Sequence, residues 1–229
     1  MIRRIALLVA LIAGTIGLTA APSAAGGNKF FSKTTGQTVD AYWTQIDGTP
    51  VGTGQFGNVH IGYLSAYAMT DNYVDAFAYI DDFDCEEGQD PYGGGHGAVA
   101  EEEPPAEETG CVYIGSRFGY GQDMELTIAS KLTSARLTGS LVVESGGGHG
   151  GGTVVGNPPV DITFTGIGDL GKGRYTYRYT EGGVTYSSSE RSTFRQATVE
   201  GYIGAMTFAP DLSGGNITQL SSTFKERIK

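Results

Sequence analysis

The sequence is poor in cysteine, tryptophan and positive charge: 229 residues hold two Cys, one Trp and 15 Lys+Arg against 25 Asp+Glu, for a net charge of −10. Two cysteines alone do not make a closed zinc site, and no Cys-x-x-Cys spacing occurs. Lys and Arg are absent from residues 34 to 116. Neutralising a phosphate backbone takes clustered cations, so the composition argues against nucleic acid, and equally against an anionic lipid surface, as a partner. Beyond the first 25 residues there is no sustained 3.6-residue apolar period and no βαβ alternation, which excludes a helical bundle and a doubly wound fold. No Gly-x-Ser-x-Gly elbow and no His-Glu-x-x-His pair is present, so neither of those hydrolase signatures applies.

What is abundant points to a β protein. Hydrophobic residues make up 39% of the chain, with 13 Tyr and many Val, Ile and Thr, and there are 37 Gly. That is enough apolar surface for a core, divided by many turns. The first 25 residues are set apart. Met1-Ile-Arg-Arg is a positive leader, Ile5 to Leu18 an apolar stretch too short to span a bilayer, and Ser23-Ala24-Ala25 a small-residue cleavage site. Residues 1–25 are therefore expected to be a signal peptide. Its removal would leave a secreted, extracellular chain from Gly26 with net charge −12 and no membrane span.

The acids concentrate in the first half: residues 34 to 116 hold 15 Asp+Glu. The densest run is Asp81-Asp82-Phe83-Asp84-Cys85-Glu86-Glu87, with Glu101 to Glu103 and Glu107-Glu108 further on. Two segments, 86–110 and 145–159, read as irregular loops rich in Gly and Pro, each containing Gly-Gly-Gly-His-Gly. Between them, alternation marks strands at residues 39–46, 58–67, 73–83, 112–118, 124–129, 135–143, 160–167, 174–180, 184–187, 192–206 and 216–228. Glu181-Gly182-Gly183 has the composition of a hairpin turn. The expectation is a single domain over 26–229, an antiparallel β-sandwich or flattened barrel of about nine or ten strands.

Four chemistries are candidates. Cys85 and Cys111 are expected to pair as a disulfide clasping the acidic loop. Asp81, Asp82, Asp84, Glu86 and Asp90 offer hard oxygen ligands, with calcium the candidate cation, although an EF-hand register from Asp82 fails at Glu87 and Gly93. The bland alternative is a solvated acidic loop. His96 and His149 on glycine loops could ligate a transition metal, whereas His60 lies in a strand and reads as a partly buried structural residue. Tyr175, Tyr177 and Tyr179 alternate along one strand, with Tyr186 across the turn. They form either the core-facing set or a flat ladder that binds a glycan or a protein.

Short segments spread over the chain carry a likeness: Gly57-Asn58-Val59-His60, Val74-Asp75-Ala76-Phe77, Ser134 to Ser140, Val160 to Gly166 and Arg195 to Gly201. Together they resemble a family of uncharacterised secreted bacterial all-β proteins of unknown function. The resemblance implies secretion and an all-β fold, and no functional residue is carried over from it. The functional expectation is a non-enzymatic extracellular or cell-surface binding module, with a divalent cation at the acidic loop. The alternative is a secreted hydrolase acting on an environmental polymer, since Ser, His and carboxylates are present without a local signature.

Overall fold

A computed structural model describes residues 29–46, 57–69, 73–86, 89, 91, 110–146, 152–208 and 212–228. They form one antiparallel sheet: β1 (Lys29–Ile46), β2 (Val59–Met69), β3 (Val74–Cys85), β4 (Cys111–Ile128), β5 (Ser134–Ser145), β6 (Thr153–Gly156), β7 (Pro159–Glu181), β8 (Val184–Ile203), β9 (Met206–Thr207) and β10 (Ser213–Ile228). The strands pair in the order β10-β1-β2-β3-β4-β5-β7-β8-β9, and β10 also pairs with β8. That last pairing closes the sheet on itself as an up-and-down barrel over the part of its length where all the strands pair. β6 and β9 are short appendages on β5 and β8. No helix among the described residues is long and apolar enough to cross a membrane.

Alternation puts one side of each strand inside. Val39, Ala41 and Trp43 from β1, Leu64 and Ala66 from β2, and Ala76, Ala78 and Ile80 from β3 are buried. Facing strands supply Leu137, Leu141, Ile162, Phe164, Val199 and Ile217 to the same cluster. Large and small residues alternate around the ring so that the side chains fill its narrow interior. Gly62 shows why a small residue is needed: a Cβ there would lie 2.0 Å from the Trp43 ring of the neighbouring strand. The outer surface of the barrel carries Asp40, Asp75, Asp161, Arg136 and Glu200 alongside outward-facing aromatics such as Tyr42 and Tyr63.

Several strands are longer than their sequence patterns. Residues 112–118 and 124–129 belong to one strand, β4, broken only by a register shift between Gln122 and Glu125. Residues 160–167 and 174–180 likewise merge into the 23-residue β7, with a shift between Ile167 and Gly171. The irregularities fall at Asp123-Met124 in β4 and at residues 168–170 in β7, and bulges of this kind bend a strand without ending it. β1 begins at Lys29, ten residues ahead of the expected start. β6 and the first residue of β7 lie within the 145–159 segment read as irregular.

The barrel is strongly uneven. β2, β3, β4 and β5 end together at one rim, where β2 last pairs with β1 at Gly36↔Met69 and β5 with β7 at Ser134↔Thr165. β7, β8, β10 and β1 continue beyond that rim as a four-strand extension, held by pairs from Gly171↔Phe194 to Glu181↔Val184 and from Gln219↔Thr193 to Ile228↔Val184. The β7–β8 hairpin closes through Gly182 and Gly183, both at positive φ (56° and 80°). Two such residues make the turn whose twist matches paired strands, a conformation that strains any residue with a Cβ.

Candidate functional site

The four-strand extension has two solvent-facing surfaces, and strand register assigns each side chain to one of them. On the outer surface, continuous with the outside of the barrel, are Tyr175, Tyr177 and Tyr179 of β7. Beside them stand Glu190 and Tyr186 of β8, Phe224 and Glu226 of β10, and Phe30 of β1. The rings touch: Tyr179 stacks on Tyr186 with centroids 4.8 Å apart and planes 18° apart, and Tyr177 lies 5.5 Å from Tyr179. Phe224 meets Tyr186 on one side and Phe30 on the other. The core-facing alternative for this ladder does not hold: Tyr175, Tyr177 and Tyr179 are 64%, 50% and 41% exposed. The alternation that signals a half-buried strand occurs here beyond the rim, where no second layer covers it. Partial desolvation and the neighbouring Tyr186 raise the Tyr179 phenol above its ordinary value.

A cavity of about 500 Å³ lies where the extension leaves the rim. Ala68, Val74, Met124 and Leu126 give it an apolar floor, and Gln37 and Gln219 a polar side. Mouths of barrels are common ligand positions, and this hollow lies at the foot of the extension.

The acidic cluster is at the opposite end of the barrel. Cys85 and Cys111 are register partners on β3 and β4 and form the disulfide, with Cα atoms 4.0 Å apart. The bridge closes the base of segment 86–110, as expected. Strand alternation separates the carboxylates just before it. Asp81 faces outward and accepts a hydrogen bond from Ser116 Oγ at 2.7 Å. Ser116 in turn contacts the hydroxyls of Tyr79 and Tyr113. Asp84 and Glu86 are exposed, and Asp90, His96 and His149 lie outside the described residues. Among the described residues no group of three His, Cys, Asp or Glu side chains is placed to hold a metal ion. Burial, then hydrogen bonding toward Asp81, pushes the Tyr79 phenol up to about 12. On the neighbouring strand β2, at the position paired with Tyr79, burial and the charge of Asp40 raise the Tyr63 phenol, whose hydroxyl donates to that carboxylate at 2.8 Å.

Asp82 points the other way, into the barrel, where it is 1% exposed. Arg117 Nε donates to its Oδ2 at 2.8 Å and Nη2 donates to Oδ1, a two-pronged pairing. His60 Nδ1 lies 2.7 Å from Oδ1 and donates to it. His60 is wholly buried, more deeply than its strand position suggests, and among the described residues its Nε2 has no hydrogen-bond partner. Sequence reasoning missed this group because its members are 22 and 35 residues apart from Asp82. The available signal was Arg117 itself, the first cation after a long acidic stretch, on an inward-facing position of a strand.

No protein-family model matches the chain, and neither a curated protein nor a solved structure does. The reading of the site therefore stands on its own geometry.

Proposed function

We propose that the protein is a secreted, non-catalytic binding module whose ligand is a glycan taken on the outer surface of the four-strand extension. The observation that carries this reading is the exposure of Tyr175, Tyr177 and Tyr179 as a contiguous ladder with Tyr186, away from the core. A flat row of phenol rings offers apolar faces to sugar rings and hydroxyls to their polar rims. Glu190 and Glu226 stand between the aromatic side chains as hydrogen-bond acceptors for sugar hydroxyls. The disulfide is consistent with an extracellular setting. Calcium enters the reading only through the acidic residues Asp84, Glu86 and Asp90, and thermal melting with calcium or a chelator tests that part separately. No described geometry favours the alternative, a hydrolase: His60 is sealed against Asp82 and Arg117.

Titration of neutral polysaccharides, followed by calorimetry, tests the main reading. Apolar ring surface covered by a sugar is worth about 25 cal/mol per Å², so the two phenol rings together contribute on the order of 1–3 kcal/mol. Tyr177→Ala with Tyr179→Ala is therefore expected to weaken binding at least about tenfold while leaving the melting temperature nearly unchanged. Absence of binding to every glycan tested, or binding that survives this double substitution, would refute it.

A further inference from the structure

The other surface of the extension, continuous with the barrel interior, has the opposite chemistry. Register places Lys172, Arg174 and Arg178 of β7 on it, together with Arg191 of β8. β10 adds Lys225 and Arg227, and β1 adds Lys33. All of these are exposed. The remaining positions on this surface between the rim and the hairpin are almost all hydroxyl or amide side chains, among them Ser187, Ser189, Ser221 and Thr223, and no carboxylate occurs there. The acids of the extension, Glu181, Glu190 and Glu226, all point to the outer surface. Among the described residues, none of these cations has an ion-pair partner. Lys225 rests over the Phe31 ring, 5.7 Å from its centroid.

Two details mark this as a surface arranged for an anion. Arg174 and Arg191 are direct cross-strand partners. Like charges in that position oppose strand pairing, and an anion held between them would turn that repulsion into attraction. Moreover, Lys172, Arg174, Arg191 and Thr193 line a surface hollow of about 290 Å³ beside them. From that hollow cations recur along the strands roughly every 7 Å, the repeat of residues on one face of a strand. A chain carrying evenly spaced negative groups fits this layout better than a compact anion does.

We propose that the inner surface of the extension binds a linear anionic polysaccharide, its acidic groups held by Lys172, Arg174 and Arg191 at the hollow and by Arg178, Lys225 and Arg227 toward the hairpin. Serine and threonine hydroxyls between the cations pair with the sugar hydroxyls. Single-stranded nucleic acid is the poorer fit, because it is held by stacking on aromatic rings, and the aromatic side chains lie almost entirely on the other surface. The site is independent of the tyrosine ladder, from which it is separated by the thickness of one sheet.

The experiment uses the disulfide-bonded protein with dextran sulfate, polygalacturonate and uncharged dextran as probes, read by fluorescence anisotropy and calorimetry. With the tyrosine ladder removed by Tyr177→Ala and Tyr179→Ala, dextran sulfate and polygalacturonate are expected to bind and dextran not to. Affinity should fall at least about tenfold between 50 and 200 mM salt, as bound counterions and screening dictate. Arg174→Gln with Arg191→Gln should weaken binding at least tenfold with a melting temperature unchanged or raised, because the like-charge pair is gone. Tyr177→Ala with Tyr179→Ala should leave it unaltered, so failure of the tyrosine reading and failure of this one are told apart. Four results would overturn the proposal: no binding of either anionic polymer at 50 mM salt; equal affinity of the tyrosine-substituted protein for uncharged dextran; tighter binding of an oligothymidylate of matched charge; or self-association without polymer that the arginine substitutions abolish, which would give the surface to a second copy.

Discussion

Asp82 and Arg117 are a buried ion pair, and a buried pair is costly to break from one side. Arg117→Met would leave the Asp82 carboxylate with one hydrogen bond, from His60, inside an apolar barrel. Removal of one partner of such a pair costs about 3–5 kcal/mol, whereas replacing the whole group by apolar residues of similar volume is far less damaging. Urea unfolding should therefore rank Arg117→Met well below Arg117→Met combined with Asp82→Leu and His60→Leu. The tyrosines add a pH dependence. Tyr79 keeps its proton in the folded state up to about 12, and Tyr63 is raised as well, from an ordinary value of 10.0. A raised folded-state value contributes stability that is complete below the unfolded value and disappears as pH rises through the folded one. Melting temperature should drop between pH 10 and 12, and less steeply in Tyr63→Phe with Tyr79→Phe. At this scale the sequence was only half legible. Asp81 and Asp82 look alike in a run of acids, yet one faces solvent and the other the core. A period of two states that neighbours differ, and only packing states which of them is inside.

Among the elements, alternation located every strand of the barrel, but it could not distinguish an interruption from an ending. The pattern breaks after Ile167, but residues 168–170 form a bulge rather than an end, so two apparent strands are one. The same limit affected Tyr175, Tyr177 and Tyr179. Their pattern is that of a core-facing strand, and nothing local says that β2 to β5 stop short of them. The extension's exposure gives a prediction at this scale. Removing residues 176–179 and 186–189 takes an even number from each hairpin strand and preserves register. Because the lost side chains are mostly exposed or half-buried, unfolding free energy should change by less than about 2 kcal/mol. Chemical denaturation measures that, and calorimetry on the same variant should show the glycan response gone.

For the molecule as a whole, the arrangement of charge matters more than its sum. A chain of net charge −10 reads as a poor partner for any polyanion, yet its cations gather on one surface while an acid-rich segment leaves from the far end of the barrel. Net charge is an arithmetic total and carries no information on placement; the topology supplies that. The disulfide acts at the acidic end alone. Its sequence separation of 26 corresponds to about 3 kcal/mol of loop-closure stabilisation. Cys85→Ala with Cys111→Ala should lower unfolding free energy by about that amount, and binding at the extension should persist wherever the variant remains folded.

The pairing of β1 with β10 has one more consequence. Lys29 and Arg227 are register partners, so the first and last strands of the barrel run side by side from the tip of the extension down into the core. The ring cannot close until β10 is free to pair with both β1 and β8, although the earlier hairpins can form before that. Barrel closure is a late step with a large sequence separation, and folding should be slow for a domain of this size. The same adjacency means that a short linker from residue 228 to residue 29 would join them without strain. A circular permutant opened in the segment between β2 and β3 should then refold to the same barrel, with its former ends now the centre of a continuous hairpin.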